Sequence, residues 1–285
     1  MNNNRVISVI GSGTMGNGIA HVFALSNKVS NVFLIDLDIN ILNKAKLIIE
    51  NNLKRQVQKD IISSSNAKDA LNKISCSTQI DDVSTSDLIV EAVKEDFNIK
   101  KNIFKNLDAL AGQDTILATN TSSISIDMIA NSINKSENVI GMHFMNPVPI
   151  MKLVEIIKGS KTDSSIIKKT LEYVSLLNKI AIECNDSPGF VSNRILMPMI
   201  NEAAFTLMEG VAKPDAIDGI MKLGMGHPMG PLKLADLIGI DVCVSIMKVL
   251  FEGFNNSKYK VCPLLEDMKN NNKLGIKTKE GFYKY

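Results

Sequence analysis

No apolar run in this 285-residue sequence approaches the roughly 18 residues that a membrane-spanning helix needs. The first residues, Met1 to Arg5, carry no apolar signal region, so a cytoplasmic protein is expected. The formal net charge is only +2, which gives no general attraction to nucleic acid or to a membrane surface. Low-complexity stretches are absent. The four cysteines, Cys76, Cys184, Cys243 and Cys262, are scattered singly, with no Cys-x-x-Cys pair. That argues against a zinc site or a disulfide framework; buried free thiols and no metal are expected. Histidine is scarce too, at three residues, so a histidine-based reaction has few candidates.

What the chain does have stands at its start. The apolar run Arg5 to Ile10 leads into Gly11-Ser-Gly13-Thr-Met-Gly16, and a second apolar run from Asn31 ends on Asp36, twenty residues after the last glycine. This strand, glycine loop, helix, strand and acid form a complete dinucleotide-binding fingerprint. Gly11 allows the tight turn out of the strand. Gly13 removes a side chain where a pyrophosphate approaches the backbone, and Gly16 is expected to let the helix pack closely on the sheet. The helix start, at Thr14 and Met15, offers free N–H groups and a positive dipole end to phosphate. Asp36 accepts from a ribose 2′-hydroxyl and repels a 2′-phosphate, which points to NAD rather than NADP.

The following segments alternate in character. A helix is predicted over 40–59, with Ile41, Ala45 and Ile48 on one face and Leu42 and Ile49 beside them. Another is predicted over 97–110, through Ile99, Ile103, Leu107 and Leu110. Strands are predicted at 87–93, 115–119, 138–142, 153–157 and 180–184. This alternation implies an α/β domain, a Rossmann-type doubly wound, mostly parallel sheet. The character changes at Asn185-Asp-Ser-Pro-Gly-Phe190, which places a boundary between 1–187 and 188–285. The second part reads as an all-helical domain: 190–208 with a bend at Pro198, then helices near 214–223 and 231–254. Its methionines (197, 199, 208, 221, 225, 229 and 247) are expected to be mostly core. A helical unit of this size commonly buries some of its apolar surface by forming a homo-oligomer.

Oxidation of an alcohol through a nicotinamide requires a group that takes the hydroxyl proton. His21, inside the first helix, and His227, in a turn between helices, suit structural roles. His143 directly follows the strand predicted to end at Met142, at a carboxyl end of the sheet where ligands bind in such folds. Pattern alone leaves catalytic and structural roles open for it. Glu155 lies within an apolar strand, read as next but one in sequence to that of His143, where an acid is costly unless paired. Such a carboxylate can orient the imidazole and stabilise its cation; in an edge strand it would instead face solvent. The residues Asn120-Thr-Ser-Ser123 offer hydroxyls and an amide at the same sheet end, but their spacing also suits a helix N-cap.

Several motifs occur in order: Asn120-Thr-Ser-Ser123, Gly141-Met-His-Phe-Met-Asn-Pro-Val-Pro149, Met151-Lys-Leu-Val-Glu155, Asp186-Ser-Pro-Gly-Phe-Val-Ser-Asn-Arg194, Met229-Gly-Pro231 and Gly281-Phe-Tyr-Lys-Tyr285. With the glycine loop they make essentially the whole chain resemble the short-chain L-3-hydroxyacyl-CoA dehydrogenase family, in its bacterial 3-hydroxybutyryl-CoA branch. The resemblance implies that His143 is the acid/base at the C3 oxygen, that Glu155 pairs with it, that Ser122 bonds the substrate oxygen and that Asn193 orients substrate. Asn193 follows the boundary, so the resemblance also implies sensitivity to domain closure. Glu95, Lys100, Asn120, Ser122, Asn146 and Lys277 match cofactor positions. Lys59 matches a CoA-contacting lysine and, with Arg55 one turn earlier, makes a basic face suited to CoA phosphates; a solvated helix face would look the same. Met145 departs from the aromatic residue common in the family. An NAD cofactor and an acyl-CoA substrate are implied.

Three other readings compete with this one. A β-hydroxyacid dehydrogenase would place a catalytic lysine on the interdomain helix, but no lysine occurs from Ile180 to Ala212. A hydrolase built on Ser122, His143 and Glu155 lacks a Gly-x-Ser-x-Gly elbow. A non-catalytic NAD-binding protein on the same fold stays open at this level.

Overall fold

The apolar run after Arg5 forms β1 (Arg5–Ile10), in which Ile7 and Val9 are fully enclosed. The computed structural model describes residues 5–285. Along the chain follow α1 (Thr14–Leu25), β2 (Val29–Ile35), α2 (Ile39–Gln58), α3 (Ser64–Asn72), β3 (Ile74–Ser77), β4 (Leu88–Glu91), α4 (Phe97–Leu110), β5 (Ile116–Thr119), α5 (Ile126–Ala130), β6 (Val139–Phe144), β7 (Leu153–Lys158), α6 (Ser164–Ser175) and β8 (Ile180–Asn185). These lie in the first of two compact units, Met1–Asp186.

All eight strands join one sheet in the order β3-β2-β1-β4-β5-β6-β7-β8. Every pairing is parallel except β6 with β7. Strand order reverses between β1 and β4, the crevice where ligands bind in open α/β sheets. The interior strands are apolar on both faces because helices cover both sides.

The core corrects several expectations. On α2 the enclosed face is Leu42, Ala45, Ile49 and Leu53, whereas Ile41 and Ile48 are exposed. Ala45 is common to both choices, and the enclosed set places a leucine or isoleucine above it at every turn. Burying each such side chain contributes about 1.5–3 kcal/mol. On α4 the enclosed residues are Lys100, Phe104 and Leu107, and Ile99 is exposed. The short, polar β3 and the helices α3 and α6 were not anticipated.

The second unit, Ser187–Tyr285, contains α7 (Ser192–Met208), α8 (Pro214–Met225), α9 (Pro231–Ile238), α10 (Ile240–Phe254) and α11 (Pro263–Asn270). The helix anticipated over 231–254 is two helices. Gly239, at φ +105°, breaks it, a conformation that a side chain would strain. Of the seven methionines expected to be mostly core, Met197 and Met247 are enclosed, Met199, Met221 and Met229 are half-buried, and Met208 and Met225 are exposed, so they are not mostly core. Of the free cysteines, Cys243 and Cys262 are buried and Cys76 and Cys184 are half-buried. Among the described residues no helix is long and apolar enough to cross a membrane.

Candidate active site

Gly11 turns the chain out of β1 at φ +93°, and its N–H donates to the Ile35 carbonyl at 2.8 Å. A Cβ there would sit 2.7 Å from the Ala92 oxygen. A Cβ on Gly16 would collide with the Gly11 carbonyl oxygen and would touch Val9 of β1, so the helix start lies tight against the strand and loop before it. Gly13 differs: a Cβ built on it meets no atom within 4 Å. The loop is therefore open on the side of Gly13, and α1 begins there with no side-chain cap over its N–H groups. Thr14 and Met15 form the first turn. An open backbone surface at an uncapped helix start fits a dinucleotide's pyrophosphate.

Asp36, at the end of β2, closes the loop from the other side. Its Oδ2 accepts from the N–H and the hydroxyl of Ser12, both at 2.7 Å, and its Oδ1 accepts from the Leu37 N–H. The carboxylate is thus held beside the glycine loop, where a ribose would lie.

Two strands beyond β4 in the same sheet, β6 runs two residues further than expected. His143 lies inside it rather than after it, because pairing with β7 continues through His143↔Glu155 and Phe144↔Val154. β7 is the very next strand after β6 in sequence, not the next but one, and it is also its direct neighbour in the sheet. The cross-strand pair is hydrogen-bonded: His143 Nδ1 lies 2.7 Å from Glu155 Oε2. His143 is 8% exposed and Glu155 4%, so the bond is shielded from water. A buried carboxylate on one ring nitrogen fixes the imidazole's orientation and stabilises its protonated form.

The loop after β5 lies alongside. Asn120 Oδ1 accepts from the Phe144 N–H at 2.9 Å, which ties this loop to β6 next to His143. Ser122 and Ser123 are gripped by Glu95, whose Oε1 accepts from their N–H groups at 3.0 and 3.1 Å, from the Thr121 and Ser123 hydroxyls and, at 3.4 Å, from the Ser122 hydroxyl. Burial alone would raise the pKa of Glu95. The nearby Lys100 ammonium and these hydrogen bonds outweigh it and hold the carboxyl below the ordinary range. The N-cap of α5 is Ser125, not the 120–123 segment, so these hydroxyls are not spent on capping that helix.

The remaining candidates are more dispersed. Lys100 is buried between Glu91 and Glu95. Asn146 is exposed beyond β6, and Arg55 and Lys59 are exposed near the end of α2. Asn193 is buried in α7, and Lys277 pairs with Asp241; both belong to the second unit. His21 is buried with Nε2 3.1 Å from Gln56 Oε1, and burial lowers its pKa. His227 is half-buried in the turn after α8.

Sequence reasoning passed over Glu91 and Ser12. Glu91 carried the same signal that singled out Glu155, an acid in an apolar strand. Ser12 carried none, since its role depends on where Asp36 turns back.

Known proteins are similar to this chain from end to end. Residues 6–187 match the model for the 3-hydroxyacyl-CoA dehydrogenase NAD-binding domain, and residues 189–285 match that for the 3-hydroxyacyl-CoA dehydrogenase C-terminal domain. A 3-hydroxybutyryl-CoA dehydrogenase of Clostridioides difficile is 48% identical, over 98% of this chain and 99% of that one. The human mitochondrial hydroxyacyl-coenzyme A dehydrogenase is 39% identical, over 98% and 90%. The crystal structure of (S)-3-hydroxybutyryl-CoA dehydrogenase from Ralstonia eutropha superposes with a TM-score of 0.95 at 41% identity, covering 99% of both chains. With the glycine loop, the strand-borne histidine and glutamate, and both domain models accounted for, this chain belongs to the 3-hydroxyacyl-CoA dehydrogenase family.

Proposed function

We propose that this chain interconverts (S)-3-hydroxyacyl-CoA and 3-oxoacyl-CoA with NAD, and that 3-hydroxybutyryl-CoA is its substrate class. The observation that carries the reading is the 2.7 Å bond between His143 Nδ1 and Glu155 Oε2, buried beside the loop that bears Ser122. NAD, when bound, supplies the acceptor for the hydride that leaves C3. With Nδ1 committed to Glu155, proton exchange with the C3 hydroxyl falls to His143 Nε2. Glu155 stabilises the imidazolium formed as that proton arrives, and His143 returns the proton in the reductive direction. Ser122 donates a hydrogen bond to the C3 oxygen, and Asn193 orients the acyl thioester.

Gly11, Gly13, Thr14, Met15 and Gly16 hold the pyrophosphate, and Asp36 the adenosine ribose. Glu95, Lys100, Asn120, Asn146 and Lys277 take the cofactor positions of the family. Arg55 and Lys59 face CoA phosphates from α2. Residues 1–187 serve as the NAD domain, and residues 188–285 serve substrate binding and self-association. A homo-oligomer accords with the exposed apolar side chains of the helical unit, Ile195, Val211 and Leu223 among them. A cytoplasmic site of action accords with four unpaired thiols.

Steady-state kinetics on C4 to C16 3-oxoacyl-CoA substrates, with NADH and NADPH in parallel, tests the reading. Highest kcat/KM is expected at C4 with NADH; no turnover on any chain length would refute it. Light scattering tests the oligomer, which a mass of one chain at micromolar concentration would remove.

A further inference from the structure

Glu91 has no part in the reaction described above, yet it is completely enclosed at the end of β4. A buried carboxylate is costly unless it is paired and hydrogen-bonded, so its partners show what its position serves. Its Oε1 accepts from Lys100 Nζ and from the Val93 N–H, both at 2.7 Å. Its Oε2 accepts from the Thr119 hydroxyl at 2.7 Å, and its backbone carbonyl accepts from the Asn120 N–H at 2.7 Å. Glu91 therefore holds the root of the loop that carries Ser122.

The tip of that loop is held by Glu95, through the N–H groups of Ser122 and Ser123. Lys100 joins the two acids: it is 1% exposed, and its Nζ also lies 3.3 Å from Glu95 Oε2. One buried ammonium thus sets both carboxylates, and the two carboxylates grip the 119–123 segment at both ends. We infer that Glu91 and Lys100 are positioning residues that fix the Ser122 hydroxyl for the substrate's C3 oxygen, acting through Thr119 and Glu95.

The physical reason is preorganisation. A donor already aimed at developing charge costs no reorganisation during the reaction, whereas a loop free to shift must be reordered in every turnover. This inference rests on the assignment of Ser122 to the C3 oxygen.

The test pairs two sets of variants with Ser122→Ala and follows kcat, KM for NADH and melting temperature with acetoacetyl-CoA. Glu91→Gln combined with Lys100→Met removes the two fully buried charges together, while Glu95, which is partly exposed, keeps its hydrogen bonds from residues 121–123. The expected result is a fall in kcat of about tenfold at saturating NADH, with a rise in KM for NADH beside it because Lys100 also takes a cofactor position. In the Ser122→Ala background the further loss should shrink to less than about twofold, because the positioned group is gone. Losses that multiply in that background, or a double variant with wild-type kcat, overturn the inference. Should Ser122→Ala alone turn over like the wild type, the assignment of Ser122 fails first and takes this inference with it. An impaired Ser122→Ala with multiplying losses defeats the positioning role alone. If the double variant does not fold, Thr119→Val replaces it; this change removes one hydroxyl and no charge, and its kcat loss must likewise vanish in the Ser122→Ala background.

Discussion

Both units bury carboxylates, but they surround them differently. In the first unit Glu155 faces an imidazole, a partner that can take up and release a proton. In the second, Asp236 accepts from the N–H groups of Phe282 and Tyr283 and from the Tyr285 hydroxyl. Asp218 accepts from the N–H groups of Leu232 and Lys233 and from the Tyr283 hydroxyl. Burial pushes the Tyr285 pKa up to about 12, with the Asp236 bond adding to it, so that phenol remains a donor at any ordinary pH. A buried acid beside a titratable partner can move a proton; one beside fixed donors fastens a chain segment. Under the proposed function the first arrangement serves chemistry and the second serves shape.

The largest effect should come from the chemical half. His143→Gln is expected to lower kcat by at least about 10²-fold, the usual scale for general acid/base catalysis, while NADH still binds. Fluorescence titration and steady-state rates read the two separately, and near-normal turnover would remove His143 from the mechanism. Glu155→Gln should lower kcat by at least about tenfold and alter the pH profile, because the amide does not stabilise an imidazolium as a carboxylate does.

The fastening half should fail in another way. Asp236→Asn is expected to cost about 2 kcal/mol in chemical denaturation, since one charged acceptor becomes a donor facing donors. Its turnover at saturating substrate should stay near the wild-type value. A variant with intact stability and lost activity would break the contrast between the two halves.

Smaller effects sharpen it. Asp36→Ala should raise kcat/KM for NADPH relative to NADH several-fold by removing a like charge; an unchanged ratio would place cofactor selection elsewhere. The least effect concerns His21, which sits in the chemical half but is fastened. Its folded pKa lies below its ordinary 6.5, so the unfolded chain binds the extra proton first. Its contribution to stability is complete above pH 6.5 and declines as pH falls from there toward the lowered folded value. Melting curves from pH 7.5 to 5 should slope less in His21→Asn than in the wild type.

Much of this was legible in the sequence wherever the signal was local. Helix α4 begins and ends where its periodicity placed it, and the glycine fingerprint needed only spacing. What escaped depends on partners distant in sequence. Met225 and Ile48 are apolar and helical, yet nothing in their own neighbourhood decides which face is covered. His143 extends its strand only because β7 pairs with it. The carboxylate of Asp36 turns to Ser12, twenty-four positions away, and a linear pattern carries no trace of that bond.

The single antiparallel step in the sheet has a consequence for how this chain can vary. His143 and Glu155 meet because opposed residues on neighbouring antiparallel strands share a face. Slipping β7 by one place would present Val154 or Ile156 to the imidazole and turn the acid to the opposite side. The connection over 145–152 can therefore lengthen or shorten only where the strand beyond it keeps its alignment, and an insertion within β7 itself would silence the enzyme without touching either side chain.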